Sequence, residues 1–408
     1  PFTAADGSDI DAVFARLFRQ YEDLVRQGGI RAVTLMFWTG DGSEILDYPG
    51  DPGVAFPWGD PIGCANPLHT VPNDPEGIDP HSRSYPYRDL SVPLTYGRLA
   101  HIVARGKAVG REALGVPVRA CATFDPGPEF AVSDFKYVRH PEICMGKLQG
   151  VPRWVSCYAT LTGDARAYAA FPDGIPEGLP FGTFLGAQAR RFLDDLGFDA
   201  LWLSNGFGFG IETWSAVGPL FDGTRFDAGR REECRTRILD FWRRFRAECP
   251  DHEIRVRGTN LTTGIDLASD GAPLAEIYAG GFLQAPPPNS PWAALDGNFG
   301  LELAGWMSHI AELPGEDILF RYYLHDPWWK NSPWLDRYGR EAHDLWLPLG
   351  ISRLAGDGSV QTPTRISFLT VDDSYGQMPD RVPREVTPLL LDAFEHAPDA
   401  APPLVWAY

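Results

Sequence analysis

Hydrophobic residues along the chain form two patterns: short continuous apolar runs, and longer segments with apolar residues at helical spacing. Continuous apolar runs are typical of buried parallel strands. The strands predicted in this way are residues 30–38, 116–124, 154–161, 199–204, 252–261, 276–279, 318–324 and 365–371. Apolar residues three and four apart predict helices between most of these strands. The helices predicted in this way are residues 8–27, 94–114, 184–196, 230–249, 266–274, 299–313, 335–347 and 384–396.

This alternation of strands and helices predicts an α/β fold, a parallel (β/α)8 TIM barrel with long βα loops. The whole chain, residues 1–408, would form this single catalytic barrel. Residues 39–93, rich in Gly, Pro and Asp, are too long for a simple connection and predict a loop insertion after the first strand. A doubly wound open sheet is the alternative, because no clear helix separates the second and third strands and the sixth strand is short.

Charge and cysteine content narrow the range of partners and compartments. The formal net charge of −18 leaves no basic surface to neutralise phosphates, which argues against nucleic acid and against anionic membranes as partners. The six cysteines show no CxxC pair and no zinc-ligand spacing, which favours buried thiols and a reducing, cytoplasmic compartment. A secreted protein whose signal peptide has been removed is the open alternative. Oligomeric state leaves no sign in the sequence.

Residues 318–338 combine an apolar strand with the residue types that bind carbohydrate. The strand ends at His325-Asp326-Pro327, where proline stops strand pairing. Three tryptophans follow it, at Trp328, Trp329 and Trp334. Aromatic rings stack on the C–H face of a sugar, and neighbouring carboxylates and amides bond its hydroxyls. The stretch therefore predicts a carbohydrate site, and the alternative is that the rings pack a long loop onto the surface.

Side chains at the C-terminal ends of barrel strands converge on one mouth, and here they are mainly acidic. Several carboxylates in one mouth are what the cleavage of a glycosidic bond requires. Asp326 is the predicted nucleophile, and Glu212, or otherwise Asp373, is the predicted acid/base. Glu129 and Glu276 are further strand-end acids. The residues predicted to bind substrate are Trp38, Asp125, Asn205, Arg257, Asn260, His325, Trp328, Trp329 and Asp372.

In this arrangement the chain resembles the (β/α)8-barrel glycoside hydrolases, at the level of the superfamily. The likeness consists of Asn205 followed by Glu212 after the fourth strand, Asp326 among tryptophans after the seventh, and an acidic pair after the eighth. The retaining families that it resembles place Asn and Glu next to each other after strand four and a Glu on strand seven. Here a glycine loop separates Asn205 from Glu212, and strand seven ends in Asp. The resemblance implies a glycosidase acting on an oligo- or polysaccharide, with a retaining mechanism favoured.

Two other functions fit the same residues. One is a barrel that binds carbohydrate without cleaving it, and the other is a barrel lyase or isomerase with a carboxylate base. No cofactor is predicted, and no catalytic zinc, because the first strand lacks His-x-His and the histidines are dispersed. No lysine lies on a predicted strand, which argues against a Schiff-base aldolase. Calcium held by carboxylates of the loop after the first strand is an open alternative.

Overall fold

The computed structural model describes most of the predicted strands and helices. The described residues are 9–37, 39, 42–56, 94–127, 133–145, 154–204, 206–208, 224–225, 227–256, 273–285, 306–307, 309–311, 313, 315–325, 342–370 and 381–401. No helix within these ranges has the length and apolar content needed to cross a membrane.

Helices begin and end in these ranges at residues with ordinary capping chemistry. The α-helices are α1 (Ile10–Gln27), α2 (Ser43–Leu46), α3 (Tyr96–Leu114), α4 (Phe181–Leu196), α5 (Arg231–Glu248), α6 (Leu274–Ala279), α7 (Ala342–Gly350) and α8 (Arg381–Glu395). Short polar side chains cap two N-termini: Asp9 accepts from the Ala12 N–H at 2.9 Å, and Thr95 accepts from the Arg98 N–H at 3.2 Å. Gly197 adopts a left-handed conformation that ends α4, as its sequence position predicts.

Parallel strands form the centre of the structure. The strands are β1 (Val33–Phe37), β2 (Val118–Phe124), β3 (Cys144–Met145), β4 (Trp154–Val155), β5 (Thr160–Leu161), β6 (Leu179–Pro180), β7 (Ala200–Leu203), β8 (Glu253–Val256), β9 (Leu319–His325), β10 (Arg353–Leu354), β11 (Val360–Gln361) and β12 (Arg365–Thr370). One parallel sheet has the order β1-β2-β7-β8, and β9 and β12 form a parallel pair. The prediction of an α/β fold with parallel strands is confirmed. Among the described strands these two sheets are separate and no closed barrel is seen.

The predictions of barrel strands at residues 154–161 and 276–279 are wrong. Residues 154–161 contribute instead to β4 and β5, which pair antiparallel with β3 and β6. A turn interrupts this apolar run, since the Ala159 N–H bonds the Ser156 carbonyl at 3.2 Å. Residues 276–279 lie in α6, where the Gly280 N–H bonds the Glu276 carbonyl at 2.9 Å. Ile277 is the buried side chain of this helix. The strand prediction failed here because a short apolar run fits either a strand or a helix.

The two faces of the four-stranded sheet carry different residues, because side chains alternate along each strand. Leu201 and Leu203 face the main apolar core, which also contains residues of α1, α3, α4 and α5. Trp202 points to the opposite face and packs there with Cys121 and Met36.

This second face is concave. Arg255 of β8 donates from Nη2 to Oγ1 of Thr34 on β1 at 3.0 Å, although these strands lie at opposite edges of the sheet. In a flat sheet the two strands would be about 14 Å apart, three strand spacings, which is beyond the reach of one arginine. The β9–β12 pair faces the same concave side, since Arg321 lies over the Trp202 ring, 4.6 Å from its centroid. The parallel strands therefore curl around a shared interior.

Charged side chains link the N-terminal ends of these strands. Oxygens of Glu253 lie 3.2 Å from Arg119 Nη1, 2.9 Å from Arg255 Nε and 3.7 Å from Arg365 Nη1. Glu253 therefore connects β2, β8 and β12. The opposite, C-terminal end is where the predicted functional residues follow the strands.

Candidate site at the carboxyl ends of the strands

Asp125 and Ser204 lie next to each other at the C-terminal edge of β2 and β7. The register pairs Phe124 with Leu203, and the Ser204 N–H continues the ladder by donating to the Phe124 carbonyl at 2.8 Å. Asp125 and Ser204 are both completely buried. Burial of a carboxylate and a hydroxyl side by side is costly unless hydrogen bonds satisfy both groups.

A buried lysine secures the turn after β2. Lys136 is fully buried, and its Nζ donates to the backbone oxygens of Asp125 at 2.6 Å and of Gly127 at 3.5 Å. The Asp125 carboxylate in turn accepts from the Gly127 N–H at 2.9 Å. The same ammonium lies 5.3 Å from the centroid of the Phe124 ring, a cation–π arrangement. The strand end that carries Asp125 is thus held from two sides.

Lys136 reaches this position because it belongs to a π-helical turn, Phe135–Arg139. Its neighbour Phe135 is buried and stacks on Phe184 of α4 with 5.2 Å between ring centroids. The Lys136 N–H donates to Oγ of Ser133 at 3.1 Å. Wide turns of this kind are frequent near functional sites.

Glu44 and Thr39 follow β1 at the same edge. The Thr39 hydroxyl donates to Glu44, and the Glu44 side chain is buried. Gly42 lies between them with φ of 85° and packs directly against Phe124. The loop after β1 is therefore fixed against the end of β2.

Next to the π-helical turn, a buried histidine lies between two carboxylates. Nδ1 of His140 is 2.9 Å from Glu142 and Nε2 is 3.4 Å from Asp164. Burial acts to raise the pKa of Glu142, but hydrogen bonds from Thr162 and His140 outweigh it and hold that pKa below 4.5. Burial also acts to raise the pKa of Asp164. Hydrogen bonds from Tyr168, from the Arg166 N–H and from His140 outweigh this effect and hold that pKa below 3.8. Both acids are thus tuned to stay ionised.

Asp47 contrasts with these two acids. Arg139 and Arg166 both lie against it, Arg139 by a hydrogen bond. Burial nevertheless raises the pKa of the Asp47 carboxyl, because desolvation exceeds the attraction of the two guanidinium groups. Asp47 ties the loop after β1 to the π-helical turn.

The ends of β9 and β12 supply the second part of the candidate site. Their last residues, His325 and Thr370, pair with each other, and the register shifts between Leu369 and Thr370. This irregularity is a bulge at the C-terminal end of β9. Bulges redirect the chain, and they are over-represented beside active sites.

Most of the residues predicted to act in catalysis or binding lie outside the described residues. They are Trp38, Asn205, Glu212, Arg257, Asn260, Asp326, Trp328, Trp329, Asp372 and Asp373. Of His325 the structure describes the backbone position at the end of β9, and of the predicted binding residues it describes the whole of Asp125. Glu276 is not a strand-end residue: it lies on α6 and pairs with Arg235. The strand-end acid Glu129 also lies outside the described residues.

Lys136, Thr123 and Ser204 are residues that sequence reasoning missed. Thr123 and Ser204 are buried at the strand ends, and each has a hydroxyl without a hydrogen bond within the described part of the chain. The signal for Ser204 was its place at the end of an apolar run. Lys136 carried no such signal, because its segment reads as irregular loop.

The described cysteines include a thiol that burial makes unreactive. The cysteines at positions 121, 144, 157, 234 and 249 are free thiols. Burial raises the pKa of Cys121 to about 12, which makes it a poor nucleophile. The described residues contain no cluster of three or more His, Cys, Asp or Glu side chains that could hold a metal ion.

Comparison with known proteins identifies distant structural similarities. No family model matches the chain, and no curated protein matches it. One similar solved structure is the alpha-galactosidase from Lactobacillus brevis, with 11% identity and a TM-score of 0.41; the match covers 94% of this chain and 38% of that chain. Another is the cyclic alpha-maltosyl-(1→6)-maltose hydrolase from Arthrobacter globiformis, with 13% identity and a TM-score of 0.34, covering 89% of this chain and 80% of that chain. The chain thus spans well under half the length of the galactosidase. Both TM-scores are low, so neither structure indicates what this chain does.

Proposed function

We propose that the chain is a glycoside hydrolase that cleaves an oligo- or polysaccharide with two carboxylates at the ends of its parallel strands. The observation that carries the proposal is the register of β9 and β12, in which His325 pairs with Thr370. In sequence, Asp326 follows His325 directly, and Asp372 and Asp373 follow Thr370 after one and two intervening positions. The two neighbouring strands therefore end at the same edge of one sheet, and acids follow each of them in the sequence.

A retaining reaction is the proposed mechanism, as the resemblance to the retaining barrel families implies. Retaining glycosidases hold their two carboxyl groups about 5–5.5 Å apart, and inverting ones about 6.5–9.5 Å apart. Asp326 would attack the anomeric carbon and form a glycosyl-enzyme while the second acid protonates the leaving oxygen. Water would then hydrolyse the intermediate with help from the same second acid.

The second acid is proposed to be Glu212 or Asp373. Asp373 follows β12, the direct neighbour of β9, whereas Glu212 follows β7 in the other parallel sheet. The strand order therefore favours Asp373 as the second acid. The proposed substrate contacts are Trp38, Asp125, Asn205, Arg257, Asn260, His325, Trp328, Trp329 and Asp372.

Turnover of a panel of 4-nitrophenyl α- and β-glycosides, with polysaccharides assayed for new reducing ends, tests this function. The proposal expects release of nitrophenol or of reducing ends from at least one substrate. Saturable binding without turnover would instead indicate a carbohydrate-binding barrel. An unsaturated product would indicate a lyase. The absence of both binding and turnover on the whole panel would contradict a role in carbohydrate chemistry.

A further inference from the structure

Two buried hydroxyl groups at the strand ends have no hydrogen-bonding partner within the described part of the chain. They belong to Thr123 of β2, which is 1% exposed, and to Ser204 after β7, which is 0% exposed. Buried polar side chains in folded proteins nearly always have a partner, so such groups call for an explanation. A ligand that supplies the missing bonds is one explanation.

The strands direct both hydroxyls to the concave side of the sheet. Thr123 is two residues after Cys121, and Ser204 is two residues after Trp202, so alternation places all four on one face. Thr123 is also in register with Trp202. Both hydroxyls therefore lie at the C-terminal edge, where Asp125 follows Thr123 by the same alternation.

The charges nearby select the kind of group that this place would bind. The Asp125 carboxylate is buried beside the hydroxyls and disfavours a second anion. The Lys136 ammonium is turned toward backbone carbonyls of the turn after β2. A hydroxyl both donates and accepts hydrogen bonds, and it matches another hydroxyl without any charge.

We propose that Thr123 and Ser204 form the floor of the carbohydrate site and bind an uncharged hydroxyl group of the sugar. This inference rests on the proposed function. It adds that the part of the sugar that contacts Thr123 and Ser204 is uncharged. A hydroxyl group lies there in place of the carboxylate that an acidic sugar would carry. Both residues would then determine specificity rather than carry out the chemical step.

The test compares Thr123→Val and Ser204→Ala with one matched control. Thr387 also has a buried hydroxyl without a partner in the described residues, but it lies on α8. Thr387→Val therefore removes the same group away from the strand ends. All three variants are measured for kcat/KM on the best glycoside of the panel and for melting temperature.

We expect Thr123→Val and Ser204→Ala each to lower kcat/KM about tenfold or more without lowering the melting temperature, because no hydrogen bond within the described fold is lost. The Thr387→Val control should keep wild-type kcat/KM. Thr123→Ser, which retains the hydroxyl, should recover most of the loss. One deoxy analogue of the substrate should lose a similar factor on the wild type and little further on Ser204→Ala, since the same bond is missing in both cases.

Wild-type kcat/KM in both Thr123→Val and Ser204→Ala would contradict the proposed contact of these residues with the sugar. The glycosidase proposal would stand in that case. Loss of activity together with a large fall in melting temperature, without recovery in Thr123→Ser, would also contradict the proposed contact, because the hydroxyls would then be structural. A wild-type protein that neither binds nor cleaves any sugar of the panel overturns the proposed function and the floor with it.

Discussion

The ammonium of Lys136 lies 2.6 Å from the backbone oxygen of Asp125, and both side chains are completely buried. The lysine is eleven residues further along the chain, in a π-helical turn held by the stacking of Phe135 on Phe184. The buried charge of Lys136 thus fixes the C-terminal end of β2. Strand-end residues at such an edge can therefore be held in place before any ligand binds.

Lys136→Met should lower the free energy of unfolding by about 1–3 kcal/mol, because two carbonyl oxygens lose a charged donor in a buried place. It should also speed amide hydrogen exchange at Gly127, whose N–H bonds the Asp125 carboxylate. Chemical denaturation and hydrogen exchange measure these effects.

Lys107→Met is the matched control for this change. Lys107 also bonds a carbonyl, that of Gly197 at 3.2 Å, and a carboxylate, that of Asp199 at 2.7 Å, but at the N-terminal end of β7 and with partial exposure. Its loss should cost less stability and leave exchange at Gly127 unchanged. Equal effects of both variants on Gly127 would contradict a specific role for Lys136.

Gly42→Ala should destabilise the protein more than Gly115→Ala does. Both glycines have positive φ, 85° and 71°, which costs any other residue roughly 1–2 kcal/mol. A Cβ at Gly42 would also lie 2.6 Å from Cδ2 of Phe124, whereas a Cβ at Gly115 meets nothing within 4 Å. We therefore expect a further loss of about 1–3 kcal/mol in Gly42→Ala, measured by thermal or chemical unfolding. Equal losses would show that the Phe124 contact yields without cost.

Acid should destabilise the protein through the two carboxylates that flank His140. The pKa values of Glu142 and Asp164 are lower in the fold than their ordinary values of 4.5 and 3.8. Groups with lowered pKa values contribute stability that is fully present above the ordinary values and is lost as pH falls through the folded ones. Unfolding free energy should thus decline below about pH 4.5, with a shallower decline in Glu142→Gln and Asp164→Asn.

Glu177→Gln provides the comparison for this pH profile. Glu177 accepts a hydrogen bond from the Gly163 N–H at 2.6 Å in the same part of the chain, but it does not contact His140. A profile in Glu142→Gln that matches both wild type and Glu177→Gln below pH 4.5 would contradict the proposed role of the His140 cluster.

Sequence patterns predicted the elements with long periodic runs of apolar residues. They missed the elements that depend on contacts between distant parts of the chain. The helix α4 with its glycine stop and the strands β9 and β12 lie close to their predicted bounds, because long periodic runs and end signals are local properties. The third and sixth predicted strands failed, since Trp154–Val155 and Thr160–Leu161 find antiparallel partners and Ile277 is buried in a helix. Pairing partners are not local, and a short apolar run does not specify them.

The same limit applies to the candidate site. Asp125 could be named from its place after an apolar run, and the structure places it at the C-terminal edge of the sheet. The contact of Lys136 with the Asp125 turn depends on the packing of Phe135 against α4, to which the sequence gives no clue. The hydroxyls of Thr123 and Ser204 became visible only when burial and missing partners were known.

The most direct test of the glycosidase proposal is the turnover of Asp326→Asn beside Asp317→Asn on the best glycoside of the panel. The two substitutions are chemically identical and flank the same strand, but Asp317 lies before β9, where it pairs with Arg365 at 3.0 Å. We predict that Asp326→Asn loses nearly all turnover with an unchanged melting temperature, while Asp317→Asn keeps its turnover, because a nucleophilic carboxylate has no substitute in an amide. Full turnover in Asp326→Asn would contradict the account.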